Sequence, residues 1–369
     1  MESPKILFVI QGEGHGHMTQ ALTAAKILRK HKFDICCALV GQNSTTIIPQ
    51  HFIKEIECEV IPFDTLELKS DKKNEHAKLI NSFLYNLTRY KSIKKTLSEI
   101  KDVINRYNPD LILNFYEPLI GLYNVFHKNK IPTISVGHQF LFLHPKFPVS
   151  KKFSFQYFTL NTATRLVQIG SKNTLALSFY PLENSLNPAI KVMPPLIHIT
   201  DHNETVEQNN HFTVYLNRSG YLDDIKEWHK ENNDIKIYCF TNLHNVDKIT
   251  EIHPNFFIHP LDRNKFIESI STGKGLITTA GFESVCEAVY IGKPVLMFPM
   301  HIEQTINGLD AEYYGAGLVQ DEPDIDKFIS FIDTEWESKS DDFKQWKSSL
   351  EHTFVDHIRS AIIEDPISA

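Results

Sequence analysis

Two short stretches of this chain bring together residues able to do chemistry. The first is Gly12-Glu13-Gly14-His15-Gly16-His17, where three glycines leave the backbone N–H groups free to approach an anion or a substrate closely. The second runs Ala280-Gly281-Phe282-Glu283-Ser284-Val285-Cys286-Glu287 and continues to Glu303-Gln304 and Asn307. A serine opening a helix can offer its hydroxyl to a phosphate while the first backbone N–H groups of that helix add to the same site. One turn later the Glu287 carboxylate suits two ribose hydroxyls, and Glu303 with Gln304 supplies an acceptor and an amide for the hydroxyls of a sugar. Contacts for phosphate, ribose and hexose thus follow in chain order, as for one extended ligand.

The elements around these stretches explain why they are loops. Residues 5–10 form an apolar run that ends at the glycine loop, and a helical pattern follows over 19–31. Strands are predicted at 34–40, 110–114 and 133–136, with helical stretches at 81–107 and 118–129 between them. Periodicity fails between 193 and 211, and the alternation restarts with strands at 212–216, 235–240, 255–258, 275–279 and 294–298. Such alternation predicts α/β architecture with parallel sheets, in which ligands bind beyond the carboxyl ends of the strands. The expected division is 1–195 for a first domain, 196–211 for a linker, 212–340 for a second domain, and 341–369 for a C-terminal segment. Within that last segment Phe343, Trp346, Leu350, Phe354 and Ile358 predict one amphipathic helix over 341–363 packing back on the first domain.

Composition narrows the function. A chain of 369 residues has room for two domains, and 42% hydrophobic with 22% charged residues is ordinary for a globular protein. The net charge of −7 offers no general attraction to polyphosphate, so nucleic acid is not an expected partner. Five cysteines without a CxxC spacing suggest neither a disulfide framework nor a zinc site, and no metal is expected. With no apolar stretch near the length of a spanning helix and no signal peptide in view, a cytoplasmic protein is expected. A nicotinamide-dinucleotide site fits poorly. The first loop lacks a third glycine at the spacing the fingerprint of such a site needs, and the second strand ends Val40-Gly41-Gln42, with Asp34 at its beginning instead of an acid at its end.

The stretch 281–307 resembles the donor-binding signature of GT-B glycosyltransferases of the UDP-glycosyltransferase type. The register holds from Gly281, Ser284 and Glu287 through Gly292, Pro294 and Pro299 to Glu303, Gln304 and Asn307. The overall likeness is to a bacterial and archaeal branch related to the N-acetylglucosaminyltransferase of peptidoglycan synthesis. The resemblance implies two Rossmann-like domains facing across a cleft, a nucleotide-sugar co-substrate that is usually UDP-linked, no other cofactor, and inversion at the anomeric carbon without a bound metal. Where many relatives carry a histidine and a glycine this chain has Thr279 and Ala280, so phosphate contacts are expected from Ser284, backbone N–H groups, and Ser219 or Arg218. The loop ending Gly16-His17 resembles the N-terminal loop of these enzymes, whose last histidine is the general base in many members. Gln20 stands where a proline usually follows. His17 is preferred over His15 as the base, near its ordinary pKa, with Glu13 or Glu117 as the orienting carboxylate.

Further residues fall at strand ends. His138, after the strand at 133–136, is expected to line an acceptor pocket with Gly14, His15, Gly16 and Glu117. His259 and Leu261 are expected to border the nucleotide base, and Phe282 belongs to the donor loop. The segment 140–158 is rich in aromatics and carries Lys146, Lys151 and Lys152, which suits either a lipid-linked acceptor with transient peripheral membrane contact or simple packing into the first domain. Three classes remain open: a transferase moving a hexose to a small-molecule or lipophilic acceptor, a nucleotide-sugar epimerase, and a non-catalytic sugar-nucleotide-binding protein.

Overall fold

The computed structural model describes every residue except 1–2, 44–45, 47, 67–84, 87, 149–153, 184–189, 200–208, 217–220, 242–247 and 364–369. The chain divides into two compact units, Met1–Leu196 with Ser348–Ala369, and Ile197–Lys347.

In the first unit the order is β1 (Lys5–Gln11), α1 (Gly16–Lys30), β2 (Asp34–Gln42), α2 (Gln50–Glu55), β3 (Glu59–Asp64), α3 (Tyr90–Tyr107), β4 (Leu111–Phe115), α4 (Pro118–His127) and β5 (Thr133–Gly137). A 3-10 helix (His138–Leu143), α5 (Ser154–Val167), β6 (Asn173–Leu177) and β7 (Ile190–Met193) complete it. All seven strands run parallel in the order β3-β2-β1-β4-β5-β6-β7. Helices cover a parallel sheet on both faces, so its inner strands must be apolar throughout. Residues 6–10 of β1 and all of β4 are accordingly buried. On one face Leu7, Val9, Leu39 and Ile112 pack against Leu97, Ile100 and Ile104 of α3 and Leu119, Ile120 and Tyr123 of α4.

The second unit contains β8 (His211–Leu216), α6 (Leu222–Glu231), β9 (Lys236–Thr241), β10 (Thr250–His253), β11 (Phe256–His259), α7 (Arg263–Thr272), β12 (Gly275–Thr278) and α8 (Phe282–Ile291). Beyond these come β13 (Val295–Met297), α9 (Ile302–Tyr314), β14 (Gly317–Val319), α10 (Ile325–Thr334) and α11 (Ser340–Ser348). Its order is β10-β11-β9-β8-β12-β13-β14, parallel except for the β10–β11 hairpin. Phe212, Val214, Ile277, Leu296, Phe298 and Phe328 sit at the centre of its core.

Each sheet reverses direction beside its first strand, between β1 and β4 and between β8 and β12. Loops diverge at such a switch point and leave a crevice, which is where open α/β sheets bind ligands. The glycine loop follows β1, and residues 279–281 follow β12.

Several elements differ from the sequence expectation. Strands β3, β6, β7, β10 and β14 are additional. Polar or broken sequences hide them: β3 reads EVIPFD with acids at both ends and a proline inside, and β10 reads TEIH. The segment 341–363 is two helices instead of one, α11 and α12 (Leu350–Ile363). Phe343 of α11 is buried and meets Tyr314, whereas Leu350, Phe354 and Ile358 of α12 are buried in the first unit. Glu351 of α12 meets Lys30 Nζ and His31 Nε2, each at 2.8 Å, where basic groups close α1. One apolar stripe therefore serves two cores, which is why it reads as a single helix. Of the 81–107 stretch, residues 90–107 form α3, and 81–84 and 87 lie outside the described residues. The proposed linker falls largely outside them too. No helix among the described residues is long and apolar enough to cross a membrane.

Candidate active site

In the first unit, Gly14 takes φ +82 and Gly16 opens α1, which places His17 in the first helical turn. No side chain caps α1. The His17 ring is buried beneath this turn, 8% exposed. Its Nδ1 lies 3.4 Å from Gln20 Oε1, and its Nε2 lies 3.4 Å from Gln139 Nε2 on the 3-10 helix. Tyr116 stacks on the ring at 5.6 Å between centroids and 16° between planes. That tyrosine follows β4 directly with φ +60, a left-handed conformation costing a non-glycine residue about 1–2 kcal/mol. The surroundings hold it there: its hydroxyl pairs with Thr164 Oγ1 at 2.7 Å, and Phe140 packs edge-on against it.

Two expectations need correction here. His17 does not keep an ordinary pKa, because burial drives it down to about 4, with the Gln20 contact opposing. Among the described residues the contacts of its ring nitrogens are to amides, not to a carboxylate. Glu13 is exposed, and the Glu117 carboxylate accepts from Thr65 Oγ1 at 2.6 Å and from the Leu119 N–H at 3.2 Å, capping α4. His15 is half-buried, and its pKa is lowered by burial and by His51. His138 is fully enclosed, its Nδ1 donating to the Leu177 carbonyl at 2.8 Å, and burial takes its pKa down to about 3. Fixed within the fold in this way, it lines no open surface.

Glu117 is another buried ionisable group of this unit. It is wholly buried, and burial pushes its carboxyl up to about 7 against the hydrogen bonds from Thr65 and Leu119. A Cβ on Gly41 would lie 2.3 Å from Glu117 Oε2, so only glycine allows the β2 backbone to approach it. Between pH 4.5 and about 7 the folded state holds a proton on Glu117 that the unfolded chain has released, so this group costs stability as pH rises through that window. His17 acts in the opposite sense, adding stability as pH rises from about 4 to 6.5. Replacing Glu117 with glutamine is therefore expected to stabilise the protein relative to the parent by about 1.4 kcal/mol for each pH unit across the upper window. Urea unfolding at pH 5, 6 and 7 measures this, and a difference independent of pH contradicts it.

In the second unit, β12 leads into Thr279, Ala280 and Gly281, then α8. Gly281 caps the helix in extended backbone, and no side chain caps the N terminus. The neighbouring helices α7 and α10 differ, being capped by Asp262 and Asp324. Among the described residues a Cβ on Gly281 would meet only Ser284 Oγ, at 3.5 Å, so none of them crowds this glycine. An uncapped helix start at a switch point has the geometry of an anion site. α9 likewise begins at His301 without a side-chain cap.

Several donor-side residues have structural partners. Ser284 Oγ donates to the Gly281 carbonyl at 3.0 Å, within the turn instead of out of it. Gln304 Oε1 accepts from the Met300 N–H at 2.9 Å, and its Nε2 donates to Thr279 Oγ1 at 3.1 Å, so this amide braces the loop. Asn307 supports the same loop by donating to the Ala280 carbonyl at 3.4 Å. Ala280 itself has φ +63, in the left-handed region that favours glycine, so this turn is strained. Glu303 stands in the first turn of α9, half-buried, and Phe282 is buried in α8. Glu287 is buried, and its carboxylate meets Arg263 of α7 at 2.7 Å. Burial raises the Glu287 pKa, and Arg263 opposes this. His259 lies between Tyr238 and Phe240 at 5.2 and 4.8 Å, Leu261 follows it half-buried, and Arg218 and Ser219 fall outside the described residues. Among the described residues no three His, Cys, Asp or Glu side chains gather as metal ligands.

Sequence reasoning missed Arg263, Gln20, Gln139 and Tyr116. Gln20 alone left a signal, standing one helical turn from His17. The others reach the site from distant elements, and only the fold brings them there.

Two seven-stranded α/β units, each with an uncapped helix start at its switch point, have the architecture of GT-B glycosyltransferases. The model described as Glycosyl transferase family 1 matches residues 4–333, and the chain belongs to that family and is a glycosyltransferase. No curated protein matches the chain by sequence. Among solved structures it is similar to UGT2 of Phytolacca americana, in complex with UDP-2fluoro-glucose and pterostilbene, at 15% identity and TM-score 0.67, over 98% of this chain and 99% of that one. It is also similar to the glycotransferase of kitacinnamycin, at 13% identity and TM-score 0.65 over 98% and 100% of the two chains. The calicheamicin glycosyltransferase CalG4 resembles it at 14% identity and TM-score 0.64, over 99% and 100%. At these identities the likeness concerns the fold.

Proposed function

We propose that this chain moves a hexose from a UDP-linked donor to a hydroxyl of a small or lipophilic acceptor, with inversion and without a metal cofactor. The observation that carries the reading is the uncapped start of α8 at the β8–β12 switch point, opened by an uncrowded Gly281, with Glu287 one turn behind it. The donor is assigned to the second unit, with the diphosphate at the first turn of α8, ribose hydroxyls at Glu287, and the sugar near Glu303 and Gln304. The UDP-sugar bound in the Phytolacca enzyme supports a uridine donor.

The base is assigned to His17 of the first unit. His17 Nε2 takes the proton of the acceptor hydroxyl, the acceptor oxygen bonds to the anomeric carbon, and the carbon–oxygen bond to the diphosphate breaks with its electron pair leaving on UDP. Backbone N–H groups and the partial positive charge of a helix start stabilise the negative charge that develops on that leaving group.

Incubating the protein with UDP-glucose, UDP-galactose and UDP-N-acetylglucosamine, with and without hydroxyl acceptors, tests the reading. Acceptor-dependent release of UDP with a β-linked product is expected. Conversion of a donor to its epimer without acceptor, or binding without any product, contradicts it.

A further inference from the structure

The contacts of His17 carry an inference that rests on its assignment as the base. Gln20 Oε1, one turn along α1, accepts hydrogen bonds and cannot donate them, so the hydrogen facing it belongs to His17 Nδ1. Gln139 Nε2 donates and cannot accept, so the His17 nitrogen facing it, Nε2, presents its lone pair. One tautomer thus satisfies both amides, which come from different elements, and Tyr116 stacks on the ring from one side.

We infer that Gln20 and Gln139 are positioning residues that hold the His17 imidazole with its hydrogen on Nδ1 and its lone pair on Nε2, in place of a carboxylate partner. Gln20 sets the tautomer, and Gln139 marks the line along which a hydroxyl hydrogen reaches Nε2. Among the described residues, the ionisable groups on the surrounding elements have other partners. The Tyr116 phenol pairs with Thr164, Glu117 with Thr65 and the Leu119 N–H, and His138 with the Leu177 carbonyl. On its own element, His15 interacts with His51. Burial lowers the proton affinity of His17 and the Gln20 amide opposes it, so the ring stays neutral until the pH falls to about 4. A base without a carboxylate partner is a weaker proton acceptor, and it gains a transfer rate that does not decline in mildly acidic solution.

Long-range proton–nitrogen spectra of the full chain labelled with 15N-histidine, with His17 assigned by loss of its signals in His17→Gln, read the tautomer directly and need no substrate. The expected result is a neutral ring protonated on Nδ1 throughout pH 5–8. A ring protonated on Nε2, or one that titrates near 6.5, overturns the inference. Gln20→Leu is expected to shift the tautomer towards Nε2–H and to lower kcat about tenfold with KM little changed. Gln20→Glu is expected to raise the pKa of the ring by about two units and to move the acid limb of the kcat/KM profile with it. Should Gln20→Leu not fold, Gln20→Met keeps the chain length and removes the acceptor. Wild-type tautomer and kcat in either variant, or an unmoved acid limb in Gln20→Glu, contradict the assignment. Failure of the base reading looks different: His17→Gln would then transfer sugar at the parent rate, whatever the tautomer.

Discussion

His17→Ala is expected to lower the rate of sugar transfer by about 10²–10⁴-fold, the usual contribution of a positioned general base. The affinity for a UDP-sugar, measured by calorimetry, is expected to stay at the parent value. The two readouts separate because His17 belongs to the first unit, while the residues assigned to the donor belong to the second. The ring carries a lone pair on Nε2 at neutral pH because burial keeps it uncharged, and an acceptor hydroxyl takes the place of the Gln139 amide there. A variant that loses donor binding along with transfer would show that His17 has another role. Retention of full transfer would move the proton acceptor to a different group, and Glu117, pushed up to about 7, would then come next.

Arg263→Met is expected to destabilise the second unit by about 3–4 kcal/mol at pH 8, since removing one partner leaves the other buried and uncompensated. The lower end of that range applies because the Arg263 side chain is 32% exposed, whereas Glu287 is 3% exposed. Without the guanidinium the Glu287 pKa, already raised by burial, rises further. The folded variant then holds a proton that the unfolded chain releases above about 4.5, so its deficit grows with pH and shrinks towards pH 5. Urea unfolding at pH 5 and pH 8 measures both terms. An equal loss at the two values would mean that Glu287 is not paired as described. Loss of this pair also frees the Glu287 carboxylate from the position where it is proposed to hold ribose, so weaker UDP binding is expected in the same variant.

Much of this architecture is legible in the chain because apolar runs bounded by glycine and proline report buried parallel strands. The two switch-point loops are marked by their residue types alone. What could not be read is how side chains far apart in sequence use one another. Gln304 offers a sugar-reading amide in the sequence, yet both its ends hold the loop through Met300 and Thr279. Ser284 turns inward to Gly281. Arg263 gives no local sign of its partner 24 positions later. Burial is the other hidden quantity. A histidine that looks ordinary in the sequence is driven to about 4 by the loss of water, and no spacing rule reports that. Edge strands such as β10, with exposed polar residues, escape for the converse reason: they bury too little to leave a periodic pattern.

Diffraction from crystals soaked in UDP tests the central claim most directly. The account expects pyrophosphate oxygens within hydrogen-bond distance of the backbone N–H groups that open α8, and the ribose hydroxyls on Glu287. Density for the diphosphate anywhere else in the molecule, or an α8 start still open at saturating UDP, would contradict it.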